Sequence, residues 1–178
     1  MLTVGDKFPK FTLIGVISNE LENAFVEVTE ETAENTWKIF FFYPKDFTFV
    51  CPTEVVEFNN LEKEFLKRNT YLYGVSTDSE FVHLAWRQRY KVLQELSIPL
   101  LSDIKRQLSS DLGILDNKEG VCLRATFIVD NNNIIRHITV NDLNVGRNTK
   151  ETLRILDALQ TGELTPCNWN SGDAVLKI

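Results

Sequence analysis

Apolar residues crowd one stretch of the chain above all others: WKIFFFYP, Trp37 to Pro44, is apolar at nearly every position and is flanked by breakers. Continuous hydrophobicity over so short a length predicts a central strand buried on both faces. Upstream, polar clusters at Ser18–Asn23 and Thr29–Thr36 predict turns around a short strand near Ala24–Val28. Downstream the period changes. From Pro52, the residues Val55, Phe58, Leu61 or Glu62, and Phe65 recur at helical spacing, with Glu54, Glu57, Lys63, Glu64 and Lys67 on the opposite face. One helix is expected there, ending near Asn69.

YLYGVSTD, Tyr71 to Asp78, predicts a second strand, and Ser79 a cap for a helix running through HLAWRQRY with Glu80 in its first turn. Ile98–Asp103 predicts a third strand, and a brief helix through Leu108 and Leu112 stops at Gly113. LRATFIVD, an NNN turn and IIRHITV predict a hairpin over Leu123–Val140. Asn148 with Glu151 resembles a capping box opening an amphipathic helix closed by Gly162, and a polar tail follows from Glu163, holding Pro166, Cys167 and Trp169. Strand, helix, strand, helix, strand, hairpin, helix is the order of an α/β fold with a mixed central sheet. Ligands in such folds gather at the carboxyl ends of the strands, and Cys51 lies just past the end of the first central strand.

The chain has 178 residues, which suits one domain with a full core. Its formal net charge of −6 argues against nucleic acid or an anionic membrane surface as a main partner. MLTVGDKFPKF has neither a basic start nor a long apolar run, so no signal peptide and no membrane span are expected, and a cytoplasmic location is the default. Cys51, Cys122 and Cys167 are odd in number, widely spaced and without a CxxC, which fits neither a disulfide framework nor a zinc ribbon. His83 and His137 match no metal-ligand spacing, so no metal is expected.

Pro52 fits the first helical position, where its missing N–H is not needed. It places Cys51 at the helix N-terminal edge, among exposed N–H groups and the positive end of the dipole. Such settings lower a thiol pKa from about 8.5 into roughly the 3.5–7.5 window. Thr48, three residues upstream, could reach the sulfur or a bound substrate, and Pro44 would shield the pocket. The plain alternative is a buried cysteine acting as a small hydrophobe, which is also the reading of Cys122.

Pro44-x-x-x-Thr48-x-x-Cys51 resembles the active-site pattern of the peroxiredoxins, and FYPKDFTFVCPTE is similar to the two-cysteine alkyl hydroperoxide reductase C branch. YGVSTDSEFVHLAW, PLLSDIKRQLSSDLGIL, RATFIVD and NDLNVGRNTKETLRILDALQ resemble the later family blocks in order, so the likeness covers nearly the whole chain. It implies a thioredoxin fold with peroxiredoxin additions, helices on both faces of a mixed sheet, over residues 1–162, with residues 163–178 as a tail. It implies a peroxidase that reduces hydrogen peroxide and organic hydroperoxides. Cys51 then resembles the peroxidatic cysteine. Thr48 and Arg124 resemble the residues that hold thiolate and peroxide, and Pro44 the shielding proline. Glu54 and Arg147 resemble the pair that orients Arg124. Arginine suits that place because it stays charged and presents a fixed fork of donors, and the pocket must activate the peroxide because nucleophilicity falls with thiol pKa.

The product would be a sulfenic acid that condenses with a second thiol. The branch usually has that thiol four residues before a tail tryptophan, a position held here by Thr165, so Cys167 is the candidate resolving cysteine, in a tail expected to be loose enough for a two-residue shift. A free tail thiol and a one-cysteine cycle resolved by an outside thiol stay open. The resemblance further implies no bound cofactor, a protein disulfide reductant, and homodimers assembling into a ring. The GGLG and the C-terminal Tyr-Phe of the family's peroxide-sensitive members do not occur here, between Tyr90 and Val121 or at Ile178, so the resemblance implies resistance to overoxidation. A thiol–disulfide oxidoreductase and a redox-regulated holdase chaperone are the rival functions.

Overall fold

The computed structural model describes residues 2–177 and divides the chain into two compact units, one ending at Arg147 and one beginning at Asn148. The first holds strands β1 (Thr12–Val16), β2 (Phe25–Thr29) and β3 (Trp37–Phe42), helices α1 (Cys51–Asn60) and α2 (Glu62–Leu66), strand β4 (Thr70–Ser76) and helix α3 (Glu80–Arg89). It continues with β5 (Leu100–Ser102), α4 (Gln107–Asp111), the small strands β6 (Leu115–Asp116) and β7 (Val121–Cys122), β8 (Arg124–Val129) and β9 (Ile135–Asn141). Seven strands form one sheet in the order β2-β1-β5-β4-β3-β8-β9. Strand β3 runs parallel to β4, β4 runs parallel to β5, and the other pairings are antiparallel, so the sheet is mixed as expected.

Strand β3 lies inside the sheet between β4 and β8, and its residues from Lys38 to Phe42 are all buried. Phe40 and Phe42 share one core with Phe8, Tyr73 and Phe127; the Phe40 ring stacks on Phe8 at 4.5 Å and on Tyr73 at 5.2 Å. On the alternate side Phe41 stacks on Phe58 of α1 at 4.1 Å. Each such ring contributes about 1.5–3 kcal/mol by burial, which anchors β3 and α1 to one another. Gly74 on β4 permits this: a Cβ there would lie 2.9 Å from both the Phe41 ring and Leu100.

The expected single helix after Pro52 is two. Leu61 sits at φ −93°, ψ −1°, and its N–H is shared between the Glu57 and Phe58 carbonyls. Asn59 and Asn60 end α1 because both are weak helix formers. Asn59 Oδ1 also accepts from the Ser97 N–H at 2.9 Å. Strand β1 was not foreseen. Ser79 caps α3 by accepting from the Val82 N–H at 3.3 Å, as expected. From the end of α3 the fully buried Arg87 donates to the carbonyls of Val16, Ile17, Leu96 and Ile98, and burial pushes its pKa down to about 10.

The second unit begins with α5 (Thr149–Thr161), capped by Asn148, whose side chain accepts from the Glu151 N–H at 3.2 Å, and closed by Gly162 at φ 67°. The residues after it are more ordered than a loose polar tail. Leu164 and Leu176 pair in an antiparallel bridge. Between them the buried Trp169 donates from Nε1 to the Asp173 carbonyl at 3.0 Å, and its own carbonyl accepts from Arg154 at 2.7 Å.

Candidate active site

Strand β3 delivers the chain into the loop Tyr43–Val50, and α1 starts at its end. Cys51 is the first helical residue and Pro52 the second, one place further in than the sequence suggested, because Val50 already adopts helical angles and its carbonyl accepts from the Thr53 and Glu54 N–H groups. Cys51 is fully buried. Phe47, midway along the loop, holds φ at 56°, an unusual conformation for an aromatic residue. Its ring packs on Trp86 and Tyr90 at 6.2 and 5.8 Å.

Arg124, the first residue of β8, is brought to Cys51 across 73 residues of sequence. Its Nη1 lies 3.4 Å from the Cys51 sulfur and 2.6 Å from Glu54 Oε2, while its Nε donates to the Leu143 carbonyl at 2.6 Å. Glu54, one turn into α1, also accepts from the Arg147 N–H at 3.0 Å and from the Arg147 guanidinium at 2.8 Å on both oxygens. Arg147 Nη1 reaches the Ala125 carbonyl at 2.8 Å, and its guanidinium lies over the Phe41 and Phe58 rings. Burial by itself would raise the pKa of Glu54; the hydrogen bonds and charge of Arg147, with the charge of Arg124, outweigh it and hold the carboxyl below its usual value. One carboxylate thus fixes two guanidiniums, and one of these faces the sulfur.

A cavity of about 450 Å³ opens here, lined by Pro44, Thr48 and Phe49 from the loop, by Leu123 and Arg124 at the start of β8, and by Leu143 just after β9. Cys51 does not reach its wall. Thr48 lines it, but its hydroxyl donates to the Lys45 carbonyl at 3.0 Å rather than to the sulfur, leaving its oxygen as an acceptor. A second cavity of about 510 Å³, lined by Lys10, Leu13, Glu30 and Gln107 among others, contains none of the candidate residues.

The other cysteines differ sharply. Cys122 joins the core beside Phe42 and Tyr73, and its thiol donates to the Tyr43 carbonyl at 2.9 Å, with burial pushing its pKa well up. Cys167 belongs to the second unit and is exposed, at the corner of a turn in which the Trp169 N–H reaches the Pro166 carbonyl and Asn168 has φ 60°.

One polar cluster escaped the sequence. Asp46, in the loop before Cys51, lies 2.7 Å from Nδ1 of the fully buried His83, whose Nε2 is 3.1 Å from the Leu101 carbonyl. A carbonyl only accepts, so Nε2 carries a hydrogen and a proton lies between Nδ1 and Asp46. Burial works against a charged His83, but the charge and hydrogen bond of Asp46 prevail and raise its pKa. Burial also raises that of Asp46. The Tyr43 hydroxyl and Asp46 Oδ1 are buried beside this pair without good hydrogen-bond geometry to any neighbour. A lone histidine and an aspartate 37 residues apart carry no local signal.

The family model described as AhpC/TSA family matches residues 4–138. An alkyl hydroperoxide reductase C of Mycolicibacterium smegmatis is 46% identical, over 99% of this chain and 94% of that protein. The solved structure of Mycobacterium bovis AhpC superimposes with a TM-score of 0.86 at 45% identity, covering 96% of this chain and 99% of that one. A reduced 2-Cys peroxiredoxin of Plasmodium vivax gives a TM-score of 0.92 at 36% identity, covering 99% and 94%.

Proposed function

The chain belongs to the AhpC/TSA family and is a peroxiredoxin-type peroxidase with an α/β thioredoxin fold, and from that premise we propose that Cys51 is its peroxidatic cysteine. The supporting observation is Arg124 Nη1, 3.4 Å from the Cys51 sulfur and held there by Glu54. The thiolate attacks the terminal oxygen of a hydroperoxide. An S–O bond forms, the O–O bond breaks, sulfur gives up two electrons, and the alkoxide or hydroxide leaves with a proton from solvent. Negative charge moves along that line, and a donor already pointed at it lowers the barrier. Thr48, whose oxygen is free to accept, receives the hydrogen of the incoming hydroperoxide, and Pro44 closes one wall of the pocket. Glu54 and Arg147 act through Arg124 as positioning residues.

The sulfenic acid then meets Cys167, whose sulfur displaces water to give a disulfide. A disulfide needs its Cα atoms within about 7 Å, and a fully buried sulfur admits no second thiol, so the first turn of α1 unwinds. The exposed turn at Cys167 suits this step. On this reading residues 1–162 form the catalytic body and 163–178 the resolving segment, the disulfide joins two copies of the chain within a ring of dimers, and a protein dithiol re-reduces it. Among the described residues no helix is long and apolar enough to cross a membrane, and the cytoplasm is the proposed location.

Peptide mapping under non-reducing conditions, after one equivalent of hydrogen peroxide, tests the scheme. A Cys51–Cys167 crosslink in a covalent dimer is expected. Sulfenic acid on Cys51 without a crosslink would instead make this a one-cysteine enzyme, the outcome that Thr165 favours. An unmodified Cys51 would defeat the reading.

A further inference from the structure

The cavity beside Arg124 carries a charge pattern that thiol chemistry at the neighbouring Cys51 does not require. Asp116, Glu119 and Asp142 line it, with Lys45 as the single cation among the lining residues above Arg124. Asp116 and Glu119 come from the β6–β7 hairpin, and Asp142 follows β9. Two of the carboxylates are fixed by backbone: Asp116 Oδ1 accepts from the Lys118 and Glu119 N–H groups at 2.8 and 2.9 Å, and Asp142 Oδ1 from the Asn144 N–H at 3.2 Å. Lys45 lies 3.9 Å from Glu119 with both side chains half exposed, so it offsets one carboxylate loosely and leaves an excess of negative charge. Arg106, on the same side, is turned to the Gly120 carbonyl and does not line the cavity.

The two arginines do not offset this excess. Arg124 and Arg147 are balanced by Glu54 and by the attacking thiolate, so the site that receives the peroxide is close to neutral when armed. Besides these charges and the polar Thr48 and Asn144, the lining is apolar: Pro44, Phe49, Val50, Val121, Leu123 and Leu143. Phe49 is 93% exposed at the edge of this lining.

We propose that this cavity selects its peroxide by charge, admitting uncharged organic hydroperoxides and disfavouring anionic ones, with Asp116, Glu119 and Asp142 as the specificity-determining residues. The proposal rests on Cys51 being the peroxidatic cysteine. A neutral hydroperoxide feels no net force from these charges and gains contact with the apolar lining. A carboxylate-bearing one meets like charges, an effect that salt screens.

The test compares 4-hydroperoxy-4-methylpentanoate with its methyl ester, which differ in one charge. Pre-reduced protein is mixed with each, and loss of the free Cys51 thiol is followed by rapid quench and mass spectrometry in a single turnover. At low ionic strength the ester should react at least about fivefold faster than the acid. The ratio should fall toward one as salt is raised, through acceleration of the acid. In the triple variant Asp116→Asn, Glu119→Gln, Asp142→Asn the ratio should collapse in the same way while the ester rate, which also reports correct folding, stays unchanged. Equal rates for acid and ester in the unaltered protein, or a ratio untouched by both salt and the triple variant, would overturn the proposal and leave the peroxidase reading standing. Failure of both peroxides to oxidise Cys51 would overturn the two together.

Discussion

Two buried charge clusters meet the loop that ends at Cys51, and they are built on opposite principles. Glu54 with Arg124 and Arg147 sets two guanidiniums on a carboxyl held below its usual pKa, and every oxygen of that carboxylate is engaged. Asp46 with His83 holds a movable proton, and Asp46 Oδ1 and the neighbouring Tyr43 hydroxyl stay without partners. The first carries the donor aimed at sulfur. The second only ties the loop to α3. Beside the proposed catalytic cysteine the protein has placed two guanidiniums around one fully saturated anion; where it ties loop to helix it tolerates a titratable, partly satisfied pair.

The sharpest way to break this contrast is Glu54→Gln, which leaves two guanidiniums buried over a neutral amide. Removing one partner of a buried ionic group costs about 3–5 kcal/mol, so urea unfolding should show a loss of that order and Cys51 oxidation should slow with it. Arg124→Lys keeps the charge but cannot reach Leu143, Glu54 and the sulfur at once. Loss of one aimed donor is worth about 10²–10³ in rate, so stopped-flow oxidation of Cys51 should fall by that factor with a smaller loss of stability.

His83→Gln should do the reverse. Unfolding free energy should drop by about 1–3 kcal/mol, with Cys51 oxidation nearly unchanged. The same variant tests the proton. Because His83 has a raised pKa in the fold, its contribution is complete below the unfolded value near 6.5 and is lost as pH climbs through the folded value, with a slope of up to about 1.4 kcal/mol per pH unit. Stability measured from neutral to alkaline pH should show this decline in the natural chain and lack it in His83→Gln. Smallest of all, Cys122→Ala should cost about 1 kcal/mol for a lost neutral hydrogen bond and leave the oxidation rate alone.

The sequence made one cluster visible and hid the other for a physical reason. Cys51 sits between a continuous apolar strand and a proline-started amphipathic helix, a local pattern that any reading detects, and the resemblance carried Thr48, Arg124, Glu54 and Arg147 with it. Asp46 and His83 meet across 37 residues, and Arg87 reaches the Val16 carbonyl across 71, partners that no local pattern announces. Strand β1 was missed for the same cause: TLIGV is short and glycine-bearing, and it becomes a strand by pairing with both β2 and β5. The break at Leu61 was masked by an apolar period that continues across it. The hydrogen bond from the Thr48 hydroxyl to the Lys45 carbonyl three residues back had no signal in the sequence.

The four carbonyls gripped by Arg87 also bear on how fast the molecule comes apart. They belong to the end of β1 with its following residue and to the approach to β5, so the clamp can close only after the edge ribbon has found the rest of the sheet. Bonds made that late are absent from the folding transition state, and removing them speeds unfolding while barely slowing folding. Arg87→Met is therefore expected to steepen no folding limb and to raise the unfolding limb of a chevron plot, which makes one guanidinium far from Cys51 the timekeeper of how long each folded copy lasts.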